Sequence, residues 1–279
     1  MNRFWNTIFG ILATLGAAAP AVAQDVTAKW PWKLEDSGSL IHDRLTYFHN
    51  GWLMPLITIV VIFVFVLLVY IMLRFNHKSN PVPQKFTHNI PLEIVWTVIP
   101  ALILTVLAFP SLKLLYYVDK MPGKPEMTIK ATGHQWYWEY QYQDAGNFSF
   151  NSNIVPDKDL QPGQPRMLTA DNALVIPVNT NVQVLVTGAD VIHAFFVPAF
   201  GVNTNAIPGR MNQVWINATH EGTFYGQCNK ICGMNHGYMP IMVQVVSKQK
   251  YQQWLLDAKK KFADDRDTHA GNLKFATKE

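Results

Sequence analysis

Cysteine is nearly absent. Of 279 residues only two, Cys228 and Cys232, carry a thiol, so at most one disulfide is available. No CxxCH occurs, which excludes a haem attached to this chain through paired thioethers. The net charge is only +4, part of it in the run Lys259, Lys260 and Lys261. No basic patch is interleaved with aromatics, so nucleic acid is not an expected partner. No segment repeats.

Charge is also missing locally. Residues 54–73 (MPLITIVVIFVFVLLVYIML) hold none, and residues 92–112 hold only Glu93. Roughly 20 apolar residues cross a bilayer. The intervening RFNHKSNPVPQKFTHN has Arg74, Lys78 and Lys85 but no acid, and its prolines mark a loop. By the positive-inside rule that loop is cytoplasmic. We expect membrane helices at 52–73 and 90–117, a cytoplasmic loop at 74–89, and both flanks outside. The first 23 residues read as a cleaved signal peptide. Arg3 gives the positive start, residues 8–19 the apolar stretch, and Ala21, Val22 and Ala23 the small-residue cleavage site. An exported segment, 24–51, follows.

From Met127 the pattern becomes short alternating runs such as ALVIPV, NVQVLVTG and IMVQVV. Val182, Val184 and Val186 fall on one face, with Gln183, Leu185 and Thr187 on the other, as in a half-buried strand. Many short strands without helical periodicity between them indicate a Greek-key sandwich or barrel, here spanning 118–248. Residues 249–279 read as a C-terminal helix and a poorly ordered tail.

Both cysteines fall in GQCNKICGMNHGYMPIM, residues 226–242, beside His236 and Met239. Thiolate, imidazole and thioether on one loop, plus His193 from a distant strand, make the ligand set of a mononuclear blue-copper site. One cysteine is then left over. Two thiolates four residues apart can instead bridge two metal ions, with one histidine terminal on each. A Cys228–Cys232 disulfide, favoured by export, and a zinc site with two thiolates and two imidazoles remain open alternatives.

These motifs, together with PLEIVWTVIPALIL, GHQWYWEY, VIHAFFVP and AIPGR, carry a resemblance over about residues 51–254. The chain resembles subunit II of haem–copper cytochrome c oxidases of the aa3 type. The resemblance implies an α+β membrane protein: an N-terminal transmembrane helical hairpin followed by an all-β cupredoxin domain. It implies a binuclear copper A centre on His193, Cys228, Cys232, His236, Met239 and the backbone carbonyl of Lys230. Trp136 is implied as the residue that takes electrons from cytochrome c, and Glu93 as the mouth of a proton-uptake path into subunit I. An ionisable group at membrane depth is in any case a functional candidate. Asp144, Asp157, Asp159 and Asp190 are candidates for an acidic docking face, where complementary charge raises the encounter rate. The partners implied are subunit I, which would hold the haems and copper B, subunit III, cytochrome c and the lipid bilayer. The location implied is a bacterial inner membrane, with N-terminus and copper domain on the periplasmic side. The activity implied is electron transfer from cytochrome c toward the reduction of oxygen to water, coupled to proton pumping. A membrane-tethered copper carrier or assembly factor is the alternative function.

Two positions depart from that family. Lys230 stands where it has a glutamate, and Asn205 where an aspartate is common. Magnesium takes oxygen ligands and several waters, and an ammonium cannot coordinate it. The interfacial magnesium of the family is therefore doubtful here, and we expect the Lys230 ammonium in its place. A stoichiometric magnesium ion at the subunit boundary would sink that expectation.

Overall fold

The computed structural model describes residues 34–82 and 85–273, with side chains as far as Phe262. The signal-peptide reading falls on residues 1–23 and lies outside the described residues. Helix α1 (Leu40–Phe48), a π-helical turn (His49–Leu53) and α2 (Met54–Arg74) follow one another without a break. Helix α3 (Ile90–Asp119) returns. Neither α2 nor α3 buries a single residue within the chain. Side chains such as Ile59, Phe63 and Leu104, each at least 60% exposed, therefore face outward. An apolar surface that long is suited to lipid rather than water.

Polar residues close the helix ends. Asn76 Nδ2 donates to the Leu73 carbonyl at 2.8 Å and Asn80 Nδ2 to that of Arg74 at 2.6 Å, satisfying orphan acceptors where α2 stops. At the start of α3, Asn89 Oδ1 accepts from the Leu92 amide at 3.1 Å. Glu93 Oε1 reaches back to the Asn89 amide at 3.0 Å, a reciprocal cap.

Beyond α3 lie ten strands in two five-stranded sheets, β1 (Met127–His134), β2 (Tyr137–Tyr142), β3 (Phe148–Ser152), β4 (Leu174–Pro177), β5 (Val182–Gly188), β6 (His193–Val197), β7 (Val202–Ala206), β8 (Asn212–Ile216), β9 (Gly222–Cys228) and β10 (Pro240–Val246). Their orders are β3-β2-β1-β5-β8 and β4-β10-β9-β6-β7. Among the named strands of the described residues only β1–β5 and β4–β10 pair in parallel, so the topology is a two-sheet sandwich with Greek-key crossovers. The period-two pattern holds: Val182, Val184 and Val186 are fully buried, while Gln183, Leu185 and Thr187 are half-buried. Aromatic volume fills the space between the sheets, with Trp138, Tyr140, Tyr142, Phe148 and Phe195 all 1% exposed or less. Burying such a side chain contributes on the order of 2 kcal/mol.

Helix α4 (Lys248–Leu273) covers one end, stacking Phe262 on Phe150 at 4.6 Å and setting Trp254 against Tyr142 at 5.2 Å. The hairpin is tied to the sandwich as well. Ser39 Oγ accepts from the His42 amide and donates to the Phe200 carbonyl at 2.8 Å, and Trp215 Nε1 donates to the Val118 carbonyl at 2.8 Å.

Candidate metal centre

Sheet register brings the distant donors together. Strand β6 pairs with β9 so that Phe195 faces Cys228 and Phe196 faces Gln227. His193, the first residue of β6, therefore lies close to Cys228, the last of β9. The strands approach closely at Gly226, where a Cβ would run into the Phe196 carbonyl oxygen. The β9–β10 connection then turns back over this end, carrying Cys232, His236 and Met239.

The sulfur atoms of Cys228 and Cys232 are 3.9 Å apart. A disulfide needs about 2.05 Å, so both thiols are free, as expected of ligands and contrary to the bridge alternative. Around them, Cys228 Sγ is 4.0 Å from His193 Nδ1 and 3.3 Å from the Lys230 carbonyl oxygen. Cys232 Sγ is 3.6 Å from His236 Nδ1 and 3.6 Å from Met239 Sδ. Five side chains and one carbonyl thus converge on one volume. His193 is fully buried, Met239 nearly so, and each cysteine is only 5% exposed.

The donor chemistry suits a soft first-row metal. Thiolate, imidazole and thioether are copper ligands, and a blue-copper ion uses two imidazoles, one thiolate and a thioether, so the second thiolate here exceeds what one such ion uses. A zinc–thiolate bond is about 2.3 Å, so on that scale both sulfurs can reach the same ion. A closed zinc site of four donors would leave Met239 and the Lys230 carbonyl without a role.

Burial opposes ionisation of both thiols. At Cys228 it is outweighed by hydrogen bonding with His193 and with the backbone of Ala194 and Lys230, which brings the thiol down to about 6. At Cys232 burial, joined by the neighbouring Cys228 thiolate, pushes the thiol up to about 12. For His193 burial favours the neutral ring, yet Cys228 and Asp190 prevail and raise its affinity for a proton. Hydrogen bonding thus favours the thiolate form of Cys228, and a thiolate is the form a metal binds.

Asp190, one of the acids expected at a docking face, lies beside His193. Its Oδ1 lies 2.8 Å from His193 Nε2, and the carboxylate also accepts from the Val191 amide at 2.6 Å and the Gln135 amide at 2.7 Å. Partial burial alone would raise its proton affinity; these three bonds outweigh it and hold the carboxyl below the usual range. Asp190 therefore fixes the orientation of His193 and leaves Nδ1 facing the sulfurs. Loss of such a partner costs a metal site about 10–100-fold in affinity. We expect that loss in Asp190→Ala, read by competition with a chelator, together with a shifted reduction potential that a simple packing defect would not produce.

The other docking acids do not gather here. Asp157 is engaged by Arg166 Nε at 2.7 Å and lies with Asp159 in a short 3-10 turn. Asp144 accepts from the Thr128 amide at the start of β1, five residues and roughly 17 Å of strand from Gly133 at its other end. Trp136 does reach the centre: its Nε1 donates to the Cys232 carbonyl at 3.3 Å, and its ring is half-buried. Gln135 and Gly133 are additions that the sequence did not single out. Gln135 Nε2 donates to the same carbonyl at 2.8 Å, and a Cβ on Gly133 would stand 3.0 Å from the His193 ring. Glu93 lies at the far end of α3, in the cap described above. Lys230 and Asn205 are both exposed and flank Ala194: Asn205 pairs with it across β7, and the Asn229 amide donates to its carbonyl at 3.3 Å.

Residues 127–246 match the family described as cytochrome c oxidase subunit II, periplasmic domain, and residues 27–114 match its transmembrane domain. A probable cytochrome c oxidase subunit 2 of Rickettsia felis is 42% identical over 258 residues, covering 92% of this chain and 81% of the relative. That of Rickettsia prowazekii is 47% identical over 226 residues, 81% and 72% of the two chains. This chain belongs to the cytochrome c oxidase subunit II family. Among solved structures, the periplasmic domain of subunit II of Bradyrhizobium japonicum cytochrome oxidase is 52% identical, covering 51% of this chain and 99% of that one at a TM-score of 0.48. As a subunit II, the protein is part of an oxidoreductase complex, associates with other oxidase subunits and is anchored in a membrane by its helical hairpin. Its sandwich is the cupredoxin-like domain of that family.

Proposed function

We propose that the sandwich holds a binuclear copper A centre on His193, Cys228, Cys232, His236, Met239 and the Lys230 carbonyl. What supports this most is the convergence of that donor set around two free thiols 3.9 Å apart. When bound, the two ions supply a one-electron relay whose odd electron is shared, which keeps reorganisation on transfer small. The chain's own residues do the rest. Asp190 orients His193, and Gln135 and Trp136 both hold the Cys232 carbonyl, stiffening the loop.

In this reading reduced cytochrome c docks on the copper end of the sandwich and passes electrons by way of Trp136. Subunit I receives them at its haem. The metal-bearing loop exposes apolar side chains, with Ile231 beside Cys232 and Met234 two residues beyond it 85% and 88% exposed. Such a patch marks a protein contact. The membrane is a bacterial inner membrane, with the sandwich on the periplasmic side and subunit III among the neighbours. Glu93 opens the proton path into subunit I. Glu93→Gln, which can still accept the Asn89 amide, should slow turnover without loosening α3; unchanged turnover would leave the residue as a cap alone.

Rapid mixing of the purified complex with ferrocytochrome c tests the functional reading. The copper centre is expected to be reduced before the haem of subunit I. Haem reduction that precedes or bypasses the copper centre would overturn the proposal and favour a copper-carrying role.

A further inference from the structure

A cavity of about 560 Å³ opens between α1, the π-helical turn and the C-terminal end of α3. Three cations line it, Arg44 from α1, Lys113 from α3 and Lys120 just past its end, and no acid does. Tyr47, Trp52 and Tyr116 complete the wall, each at least 45% exposed. Arg44 is set in place by Tyr117, whose ring centroid lies 4.3 Å beneath the guanidinium carbon.

Trp52 is shared with a second hollow of about 330 Å³, deeper along the hairpin, whose remaining wall is Leu56, Leu102, Ile103, Val106 and Leu107. Val106 is seven residues below Lys113, about 10 Å along the helix. The uncharged run of α2 and the stretch of α3 between Glu93 and Lys113 place the second hollow within the hydrocarbon. The cations and aromatic rings then fall at the depth where interfacial Trp, Tyr, Lys and Arg collect.

We propose that these two hollows form one binding site for an anionic phospholipid of the leaflet on the sandwich side. The phosphate would lie among Arg44, Lys113 and Lys120, and one acyl chain along Leu56, Leu102 and Val106. Charge selects the headgroup: three cations with no acid favour a phosphatidylglycerol-like lipid over a zwitterionic one. An arginine and two lysines also offer donors directed at phosphate oxygens. The site is walled by helices alone, so its occupant would brace α1 and the π-helical turn against α3.

The test uses the whole oxidase purified in mild detergent, stripped of loosely held lipid and titrated with phosphatidylglycerol or phosphatidylcholine, with bound lipid counted by native mass spectrometry. Wild type is expected to retain one more phosphatidylglycerol than Arg44→Gln/Lys113→Gln/Lys120→Gln. Its affinity for that lipid should be higher by about fivefold for each cation removed. Lys113→Arg, which keeps the charge, should bind as wild type. Leu102→Trp, which fills the apolar hollow and leaves the cations, should also lose the lipid. Equal lipid counts in all variants, or no preference for phosphatidylglycerol over phosphatidylcholine, would overturn the proposal. So would cross-links from Lys113 showing a segment of another subunit seated in the hollow.

Discussion

Oxidase carrying Cys232→Ser is expected to lose oxidation of cytochrome c down to the level of copper-depleted complex, while the subunit still folds and assembles. The sulfur of Cys232 stands within 4 Å of Cys228 Sγ, His236 Nδ1 and Met239 Sδ, so its removal takes away the donor common to both halves of the site. A hydroxyl is a far harder ligand than a thiolate and suits copper poorly. The residue sits on a connecting loop and its loss leaves the β6–β9 register intact, so thermal unfolding should change little. Steady-state oxidation of ferrocytochrome c, with copper counted on the same sample, checks this. Substantial activity in the variant would mean that electrons reach subunit I without a two-thiolate centre.

The second large effect is expected at a residue with no side chain. Gly226 is where β9 passes beneath β6, and a methyl group there meets the backbone of Phe196 and Val197. A flexible side chain could move aside, but a hydrogen-bonded strand cannot without separating His193 from Cys228. Gly226→Ala should cost about 3 kcal/mol, at the upper end of overpacking effects, and lower Tm by roughly 10 °C. Copper should be lost along with stability, because one strand pairing supports both. Gly51→Ala is the matching control: no atom lies within 4 Å of its Cβ position, and its effect should stay within about 0.5 kcal/mol. Differential scanning calorimetry with metal analysis on both variants separates the two cases.

Much of this was legible from the residues. The membrane helices announced themselves through uninterrupted apolar composition, a property that needs no tertiary context. Strand periodicity was equally local, and in β5 the alternation Val182, Val184, Val186 gave the buried face directly. The Cys228, Cys232, His236 and Met239 spacing was visible as a cluster because one loop carries it. His193 comes from a strand 35 residues before Cys228; the donor types already made it the candidate distant imidazole, while the binuclear copper A assignment rested on resemblance to a family.

What was not legible depends on contacts between distant segments. Asp190 reads as a surface acid three residues before a histidine, yet folding a strand start against Gln135 turns it into the partner of His193 Nε2. Asp157 looks free for docking until Arg166, nine residues on, is found beside it. Trp136 and Trp138 belong to one aromatic run, but Trp136 lies in the turn between β1 and β2 while Trp138 is the second residue of β2. Trp138 is therefore core while Trp136 touches the metal loop. The glycines at 133 and 226 give no signal on their own, since what they avoid lies on another strand. The cap at Glu93 is a local feature that Asn89, four residues before it, makes legible in the sequence.

The most direct measurement is an electron paramagnetic resonance spectrum of the full-length protein loaded with copper, with copper and zinc counted on the same sample. The expected result is two coppers per chain and hyperfine structure from one unpaired electron shared equally between two copper nuclei. A single-copper signal, or zinc in place of copper, would contradict the binuclear centre and with it the assignment of this chain as the point where electrons enter the oxidase.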